Sequence, residues 1–242
     1  MNEWASGQRP FIIGHRGASA EAPENTLAAF LLAQAQGADG IEFDVQLSAD
    51  GCPVVIHDGN LARTTNGRGQ VQDFTVAALQ KLDAGHGQPI PTLDEVFESL
   101  GPNFLYNVEL KTAALRDNGL ATAVADRIQA HNLAQQTVVS SFNPLAVRYA
   151  RRYLPPSAWV AHLSYKRRFQ FKHSLIPAQA VHPHYKMVDA AYMAWASKNG
   201  WRVNVWTVDD PAEAQRLVGL GVHGIITNKP KFMREALFSD EN

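Results

Sequence analysis

The stretch Ile41-Glu-Phe-Asp-Val-Gln-Leu47 sets two carboxylates, Glu42 and Asp44, inside a run whose other members suit a buried strand. Residues two apart on a strand share a face, so the acids point one way and Ile41, Phe43 and Val45 the other. The run Asn107-Val-Glu-Leu-Lys111 repeats the arrangement, with Glu109 and Lys111 on one face. Alone, the first pair would read as the wet face of an edge strand and the second as a surface ion pair. On parallel strands covered on both faces, the acids need a buried partner. Three converging carboxylates repel one another and lose hydration, a cost that a cation removes. Oxygen ligands without a thiolate suit one hard divalent ion, Mg2+ or Ca2+, and the sequence does not choose between them.

His15, in Gly14-His-Arg-Gly17, and His57, in Ile56-His-Asp58, are the acid-base candidates. An imidazole both accepts and donates a proton near neutrality. A pair of them serves ester cleavage, one deprotonating the nucleophile and the other protonating the leaving alkoxide. Arg16 and Lys111 flank the same acids and are suited to hold a phosphoryl group. Trp206, in Val203-Asn-Val-Trp-Thr207, offers a flat apolar wall for an alkyl or glycerol moiety, and Phe142 another. His182 and His184 have weaker neighbourhoods, and a structural or surface role is expected of them.

Short β-rich runs alternating with helix-period segments predict parallel strands joined by helices. Strands are expected at Pro10–Gly14, Gly40–Leu47, Phe104–Leu110, Thr137–Ser141, Ala158–His162, Ala178–His182, Arg202–Trp206 and Gly224–Thr227. Eight strand-helix units in 242 residues point to a (β/α)8 TIM barrel, whose working groups sit at the carboxyl ends of strands. The candidates all fall at or near such ends. A first helix is expected from Pro23-Glu24-Asn25, with Leu27, Phe30, Leu31 and Leu32 as its apolar stripe. Pro53–Ile56 reads as an irregular hairpin addition to strand 2. The polar, Gly-rich region that follows, about 58–91, is too long for a plain connection and reads as a small inserted subdomain with Phe74 and the Leu79–Leu82 pair as a minor apolar cluster. Ser164–Ser174 is a basic, aromatic connection, expected to be a solvated loop or helix.

Lys and Arg total 22 against 23 Asp and Glu, so no global field steers the chain to nucleic acid or an acidic membrane. Cys52 is the lone cysteine, which excludes an intrachain disulfide and a thiolate metal cluster within one chain. Neither a secretory leader nor a membrane-length apolar run is apparent. A cytoplasmic protein without stable membrane association is expected; its oligomeric state is open.

In order along the chain stand "GHRGASAEAPENT", "IEFDVQLSADGCPVVIHD", "LARTTNGRG", "IPTLDEVF", "NVELK", "VNVWTVDD" and "GVHGIITNKP". This set resembles the glycerophosphodiester phosphodiesterase family, of the cytoplasmic bacterial type within the phosphatidylinositol-specific phospholipase C-like superfamily. The resemblance runs from Gly14 nearly to Pro230. It implies a single barrel domain over 1–242 with a small insertion, and a metal-dependent enzyme converting glycerophosphodiesters to sn-glycerol 3-phosphate and an alcohol. It further implies His15 and His57 as the acid-base pair, Glu42, Asp44 and Glu109 as metal ligands, Arg16 and Lys111 as phosphate contacts, and Trp206 against the glycerol end. Asp209, where the family often has Asn, and His223 are departures to which no role attaches. A lysophospholipase D-like activity on lipid phosphodiesters and a non-catalytic phosphodiester-binding barrel are the rival readings. The preferred head group is not legible.

Overall fold

A computed structural model describes residues 2–167 and 176–238. Eight parallel strands close into a ring: β1 (Phe11–His15), β2 (Gly40–Leu47), β4 (Leu105–Leu110), β5 (Thr137–Ser141), β6 (Trp159–Ser164), β7 (Ala180–Pro183), β8 (Arg202–Val205) and β9 (Gly224–Thr227). The pairing of β1 with both β2 and β9 completes the closure. One strand stands outside the ring: β3 (Pro53–Val55) runs antiparallel to β2, with Val45 opposite Val55. The expected (β/α)8 barrel is thus found, with the expected hairpin. Strand limits shift by one or two residues; β1 includes His15, and β8 stops at Val205, before Trp206.

Each strand sorts its side chains by the two-residue repeat. Tyr106, Val108 and Leu110 join Ile41, Phe43 and Val45 in the layer beneath the outer helices. The alternate residues line the barrel interior in tiers. Ile13, Leu105, Val138, Ala161, Ala180 and Ile226 form an apolar floor, closed below by Trp4, whose indole N–H donates to the Gln136 carbonyl at 2.8 Å. One step up lie Asn107, Ser140, His182 and Asn204, all buried. One step further stand the charged groups of the mouth. A polar group inside a barrel needs a partner, and this gradient confines unpaired charge to the rim.

Helices α1 (Leu27–Ala35), α3 (Leu93–Leu100), α4 (Leu120–Ala130), α5 (Pro144–Tyr153), α6 (Ala190–Lys198), α7 (Pro211–Gly219) and α8 (Pro230–Phe238) follow ring strands, or the β3 hairpin in the case of α3. Their starts obey capping chemistry: Thr92 and Glu95 make a capping box on α3, while Asn143-Pro144 and Asp210-Pro211 open α5 and α7.

The expected start of the first helix needs correction. Asn25 has a left-handed backbone, φ 59°, which ends any helix through Glu24, and Thr26 caps the helix instead. Leu31 faces outward, 45% exposed, so it does not belong to the buried stripe.

Between β3 and α3 the chain forms three-residue 3-10 turns and the one-turn α2 (Val76–Leu79). Leu61, Val71, Leu79 and Ile90 bury against Val54 and Ile56 of the hairpin, with Phe74 and Leu82 partly buried beside them. In the Ser164–Ser174 connection, residues 168–174 lie outside the described residues. Among the described residues no helix is long and apolar enough to cross a membrane.

Candidate active site

The mouth is assembled from the carboxyl ends of β1, β2 and β4 and the end of the β3 hairpin. β2 carries Glu42 and Asp44, paired in register with Asn107 and Glu109 of β4. Carboxylate oxygens of Glu42, Asp44 and Glu109 come within 4.8 Å of one another, and all three residues are buried. After His15 the chain turns sharply: Arg16 and Gly17 have φ of 54° and 88°. A Cβ at Gly17 would meet the Ala29 backbone at 2.6 Å, so only glycine lets this turn lie against α1. The turn delivers the Arg16 N–H to the Glu42 carbonyl at 2.7 Å.

Asp44 is held from several sides. Asn25 Nδ2 donates to its Oδ2 at 2.9 Å, and the Asp44 N–H reaches back to Asn25 Oδ1 at 3.3 Å. Arg16 Nε lies 3.2 Å from Oδ2 and Lys111 Nζ 3.5 Å from Oδ1. Oδ1 nevertheless has no hydrogen-bond partner. Burial alone would raise its pKa, but Lys111 and Arg16 hold Asp44 below the usual range. Glu42 goes the other way, well upward, through burial and then the Asp44 charge. Burial and the same charge push Glu109 up to about 7. A buried, unpartnered carboxylate oxygen among three acids that resist joint ionisation fits a divalent cation bound through oxygen.

The two imidazoles flank this cluster. His15 Nδ1 lies 2.7 Å from Asn228 Oδ1, and its Nε2 is 3.9 Å from Glu42 Oε2. Burial first, then the neighbouring Arg16 charge, lowers its pKa. His57 Nδ1 meets Asp58 Oδ1 at 2.5 Å, and Lys111 Nζ stands 3.0 Å from its Nε2 and 2.9 Å from Glu109 Oε1. An ammonium only donates, so Nε2 accepts and Nδ1–H points to Asp58. Arg63 then joins both halves of the mouth, bonding Asp58 through Nε and Glu24 through both terminal nitrogens, 2.7 and 3.1 Å. Glu24 in turn accepts from Arg16 at 2.9 Å. The hydrogen bond from Arg63 is the main reason that Asp58 is lowered to about 2.

A cleft of about 400 Å³, lined by His57, Glu109, Lys111, Ser141 and Phe142, opens from the cluster. Phe142 meets Trp206 edge-on at 5.5 Å, and Trp206 meets His184 and Tyr165 at 5.3 and 6.1 Å. The eight site residues expected from the sequence, and Phe142 beside them, therefore gather at one end of the barrel. Of the two secondary histidines, His184 lies at this rim, whereas His182 is wholly buried with its ring nitrogens against the amides of Asn107 and Asn204, 3.3 and 3.0 Å away.

Sequence reasoning missed Asn25, Asp58, Glu24, Arg63 and Asn228, which act on the mouth through other residues. Asn228 follows the end of β9, and the strand-end rule would have found it; the others sit in loops with no such signal. It also left Asp209 without a role, which the structure corrects: Asp209 accepts from Thr227 Oγ1, the Asn228 N–H and Asn228 Nδ2.

Residues 15–232 match the model of the glycerophosphoryl diester phosphodiesterase family. The chain belongs to that family. It is 39% identical over 238 residues to a glycerophosphodiester phosphodiesterase of Caldanaerobacter subterraneus, spanning 92% of this chain and 96% of that one. Among solved structures, an Oleispira antarctica phosphodiesterase in complex with the product sn-glycerol-3-phosphate superposes with TM-score 0.86 at 30% identity, covering 95% and 97% of the two chains. A glycerophosphodiester phosphodiesterase of Parabacteroides distasonis gives 0.84 at 28% identity, covering 97% and 99%. These likenesses agree with the barrel and with the motif set read from the sequence.

Proposed function

We propose that this enzyme hydrolyses small glycerophosphodiesters to sn-glycerol 3-phosphate and an alcohol, with one Mg2+ or Ca2+ held by Glu42, Asp44 and Glu109. The observation that carries the reading is the meeting of these carboxylates within 4.8 Å, between His15 and His57. The bound ion supplies orientation of the diester and charge stabilisation at its phosphoryl oxygens. The chain's own groups do the rest.

His15 is the base. Its lowered pKa keeps the ring neutral near pH 7, and Nδ1 is engaged by Asn228, which leaves Nε2 to take the proton of the attacking hydroxyl. His57 is the acid: it lines the open cleft, where the leaving alcohol departs, Asp58 holds Nδ1–H, and Nε2, freed when Lys111 turns to the phosphoryl group, carries the proton that passes to the leaving alkoxide. Proton transfer by such a pair contributes about 10²- to 10⁴-fold. Arg16 and Lys111, released in part from the acids once an ion is present, bind the phosphoryl oxygens. Trp206 borders the glycerol end. The reading takes residues 1–242 as one cytoplasmic domain in which the 58–91 insertion contributes Arg63 to the mouth.

A second reading has its own support. Phe142, Tyr165 and Leu115, on loops after β5, β6 and β4, are 46%, 59% and 81% exposed at the same end of the barrel, an apolar rim suited to an alkyl-bearing alcohol and a lysophospholipase D-like activity.

The test is release of glycerol 3-phosphate from a panel of head-group diesters plus lysophosphatidylcholine, with and without chelator. Activity untouched by chelation rejects the metal centre, and losses of less than about tenfold in His15→Ala and His57→Ala reject the proton-transfer roles. Under single turnover in His57→Ala or His15→Ala, accumulation of a cyclic glycerophosphate identifies the adjacent glycerol hydroxyl as nucleophile; its absence counts heavily against that route and favours direct attack by water.

A further inference from the structure

His15 is tied to a loop on a different strand by a run of hydrogen bonds. Asp209, in the loop after β8, receives three: Thr227 Oγ1 and the Asn228 N–H on Oδ1, both at 2.8 Å, and Asn228 Nδ2 on Oδ2 at 2.5 Å. The other end of the Asn228 amide, Oδ1, lies 2.7 Å from His15 Nδ1 and 2.8 Å from Ser19 Oγ.

A carboxamide has one accepting and one donating end, and either end fits the same space. Ser19 has a weaker, opposite preference. Its single hydroxyl proton lies between two acceptors, the His15 carbonyl at 2.7 Å and Asn228 Oδ1 at 2.8 Å, and serves one of them at a time, so Ser19 alone would favour the NH2 end. Asp209 overrides it, because the flipped amide would set its oxygen against a charged carboxylate with no proton between them. Its carboxylate only accepts, so Nδ2 must face it and Oδ1 must face His15. An imidazole nitrogen opposite an acceptor carries the proton, which leaves the lone pair on Nε2, the nitrogen nearer the carboxylate cluster.

We propose that Asp209 is a positioning residue for catalysis: through Asn228 it holds His15 in the Nδ1–H tautomer, so that Nε2 is the base. The inference rests on the base role assigned to His15 above. It applies in both protonation states of the ring, because Nδ1 keeps its proton when Nε2 gains one.

Asp209→Asn is nearly isosteric and reverses the logic. The Thr227 hydroxyl and the Asn228 N–H still require an acceptor, so the new amide turns its oxygen to them and its NH2 to Asn228. The Asn228 amide then flips, and its NH2 meets His15 Nδ1, moving the ring proton to Nε2. The double variant Asp209→Asn/Asn228→Asp restores alternation, since a carboxylate at 228 accepts from both the amide and His15 Nδ1–H.

The experiment uses the full chain and combines imidazole 15N NMR, assigned with His15→Ala, with steady-state hydrolysis of sn-glycero-3-phosphocholine at saturating Mg2+ or Ca2+ and with thermal melting. In Asp209→Asn, the His15 signal is expected to change from Nδ1–H to Nε2–H, with kcat lowered by about 10²-fold, the scale of a lost general base, and little change in KM. The double variant is expected to regain the Nδ1–H signal and most of kcat. An unchanged tautomer in Asp209→Asn, or a double variant no better than the single at equal melting temperature, overturns the proposal. A His15→Ala variant that keeps more than a tenth of the activity overturns the base role itself, a different result that the NMR readout does not depend on.

Discussion

Arg63 and Glu24 are joined by two parallel hydrogen bonds, 2.7 and 3.1 Å long, although they come from opposite sides of the mouth. Arg63 belongs to the segment after the β3 hairpin and also bonds Asp58, the partner of His57. Glu24 belongs to the loop after β1 and also bonds Arg16. One guanidinium therefore links the neighbours of His57, the proposed acid, and of Arg16, the proposed phosphate contact. Arg63→Ala is expected to lower kcat/KM by about 10- to 100-fold, the usual range for a group supporting a ligand or catalytic residue. Arg63 is half exposed, so the loss of stability should be small. Kinetics and a melting curve on the same preparation check both statements; a large drop in melting temperature with kcat/KM intact would refute the alignment role.

Glu42→Gln separates charge repulsion from ion binding. Burial and Asp44 favour the neutral form of Glu42, and Gln is a neutral isostere. The ion-free variant is expected to melt no lower than the parent, while the rise on adding Mg2+ or Ca2+ disappears. At an ion concentration of a hundred times Kd the parent gains about 2.7 kcal/mol, or roughly 5–10 °C for a chain of this size. Paired thermal melts read both effects, and a preserved ion-dependent rise would remove Glu42 from the site.

Asn25 holds Asp44 through two reciprocal hydrogen bonds, one donated to its carboxylate and one accepted from its backbone N–H, while adopting a left-handed backbone. Asn25→Ala should weaken divalent-ion binding by about 10- to 100-fold through loss of that support. Asn25→Gly accommodates the backbone, so it should recover stability relative to Ala, by about 1–2 kcal/mol, without recovering affinity. Calorimetric titration with the ion, beside chemical denaturation, distinguishes the two contributions.

His182 governs part of the acid response. Burial, then the His162 charge, lowers its pKa to about 3, against about 6.5 unfolded. Between these values the unfolded chain takes up a proton that the native ring refuses. Stability linked to this group is therefore complete above pH 6.5 and falls as pH drops toward 3, by about 1.4 kcal/mol per unit at most. His223, lowered to about 4 chiefly by burial, adds a similar slope over a shorter interval. Glu42 and Glu109, both raised, contribute the opposite slope over part of this range, so urea denaturation from pH 7.5 to pH 4.5 is compared between the chain and His182→Gln; identical pH slopes for the two would contradict the buried neutral ring.

Legibility from the sequence followed the range of the signal. The two-residue repeat of β2 and β4 is strong because both faces are buried, so the inward acids were visible against outward Ile, Phe and Val. Strand ends then supplied His15, Lys111 and Trp206. The start of α1 was misplaced because Pro23-Glu24-Asn25 resembles a helix opening, whereas Asn25 is turned out of the helix to hold Asp44, a residue 19 positions away. Asp58, Arg63 and Glu24 are ordinary charges until folding brings residues 39 apart together. Asn228 and Asp209 were obscure for a related reason: their effect on His15 lies in which end of an amide faces which neighbour, information that no residue type encodes alone.

Glu42, Asp44 and His57 all ride on the single β2–β3 hairpin. The Ile56 N–H bonds the Asp44 carbonyl at 2.9 Å, and the Gln46 side chain grips the Ile56 and His57 carbonyls at 3.1 and 3.0 Å. The gap between these three groups is therefore dictated mainly by a few rungs of a local ladder, to which the long excursion that comes after adds the Arg63 brace on Asp58. For an engineer this makes the outer residues of the excursion exchangeable: with Arg63 and the apolar anchors Leu61, Val71 and Leu79 retained, they can be rewritten while Glu42, Asp44 and His57 keep their relative places.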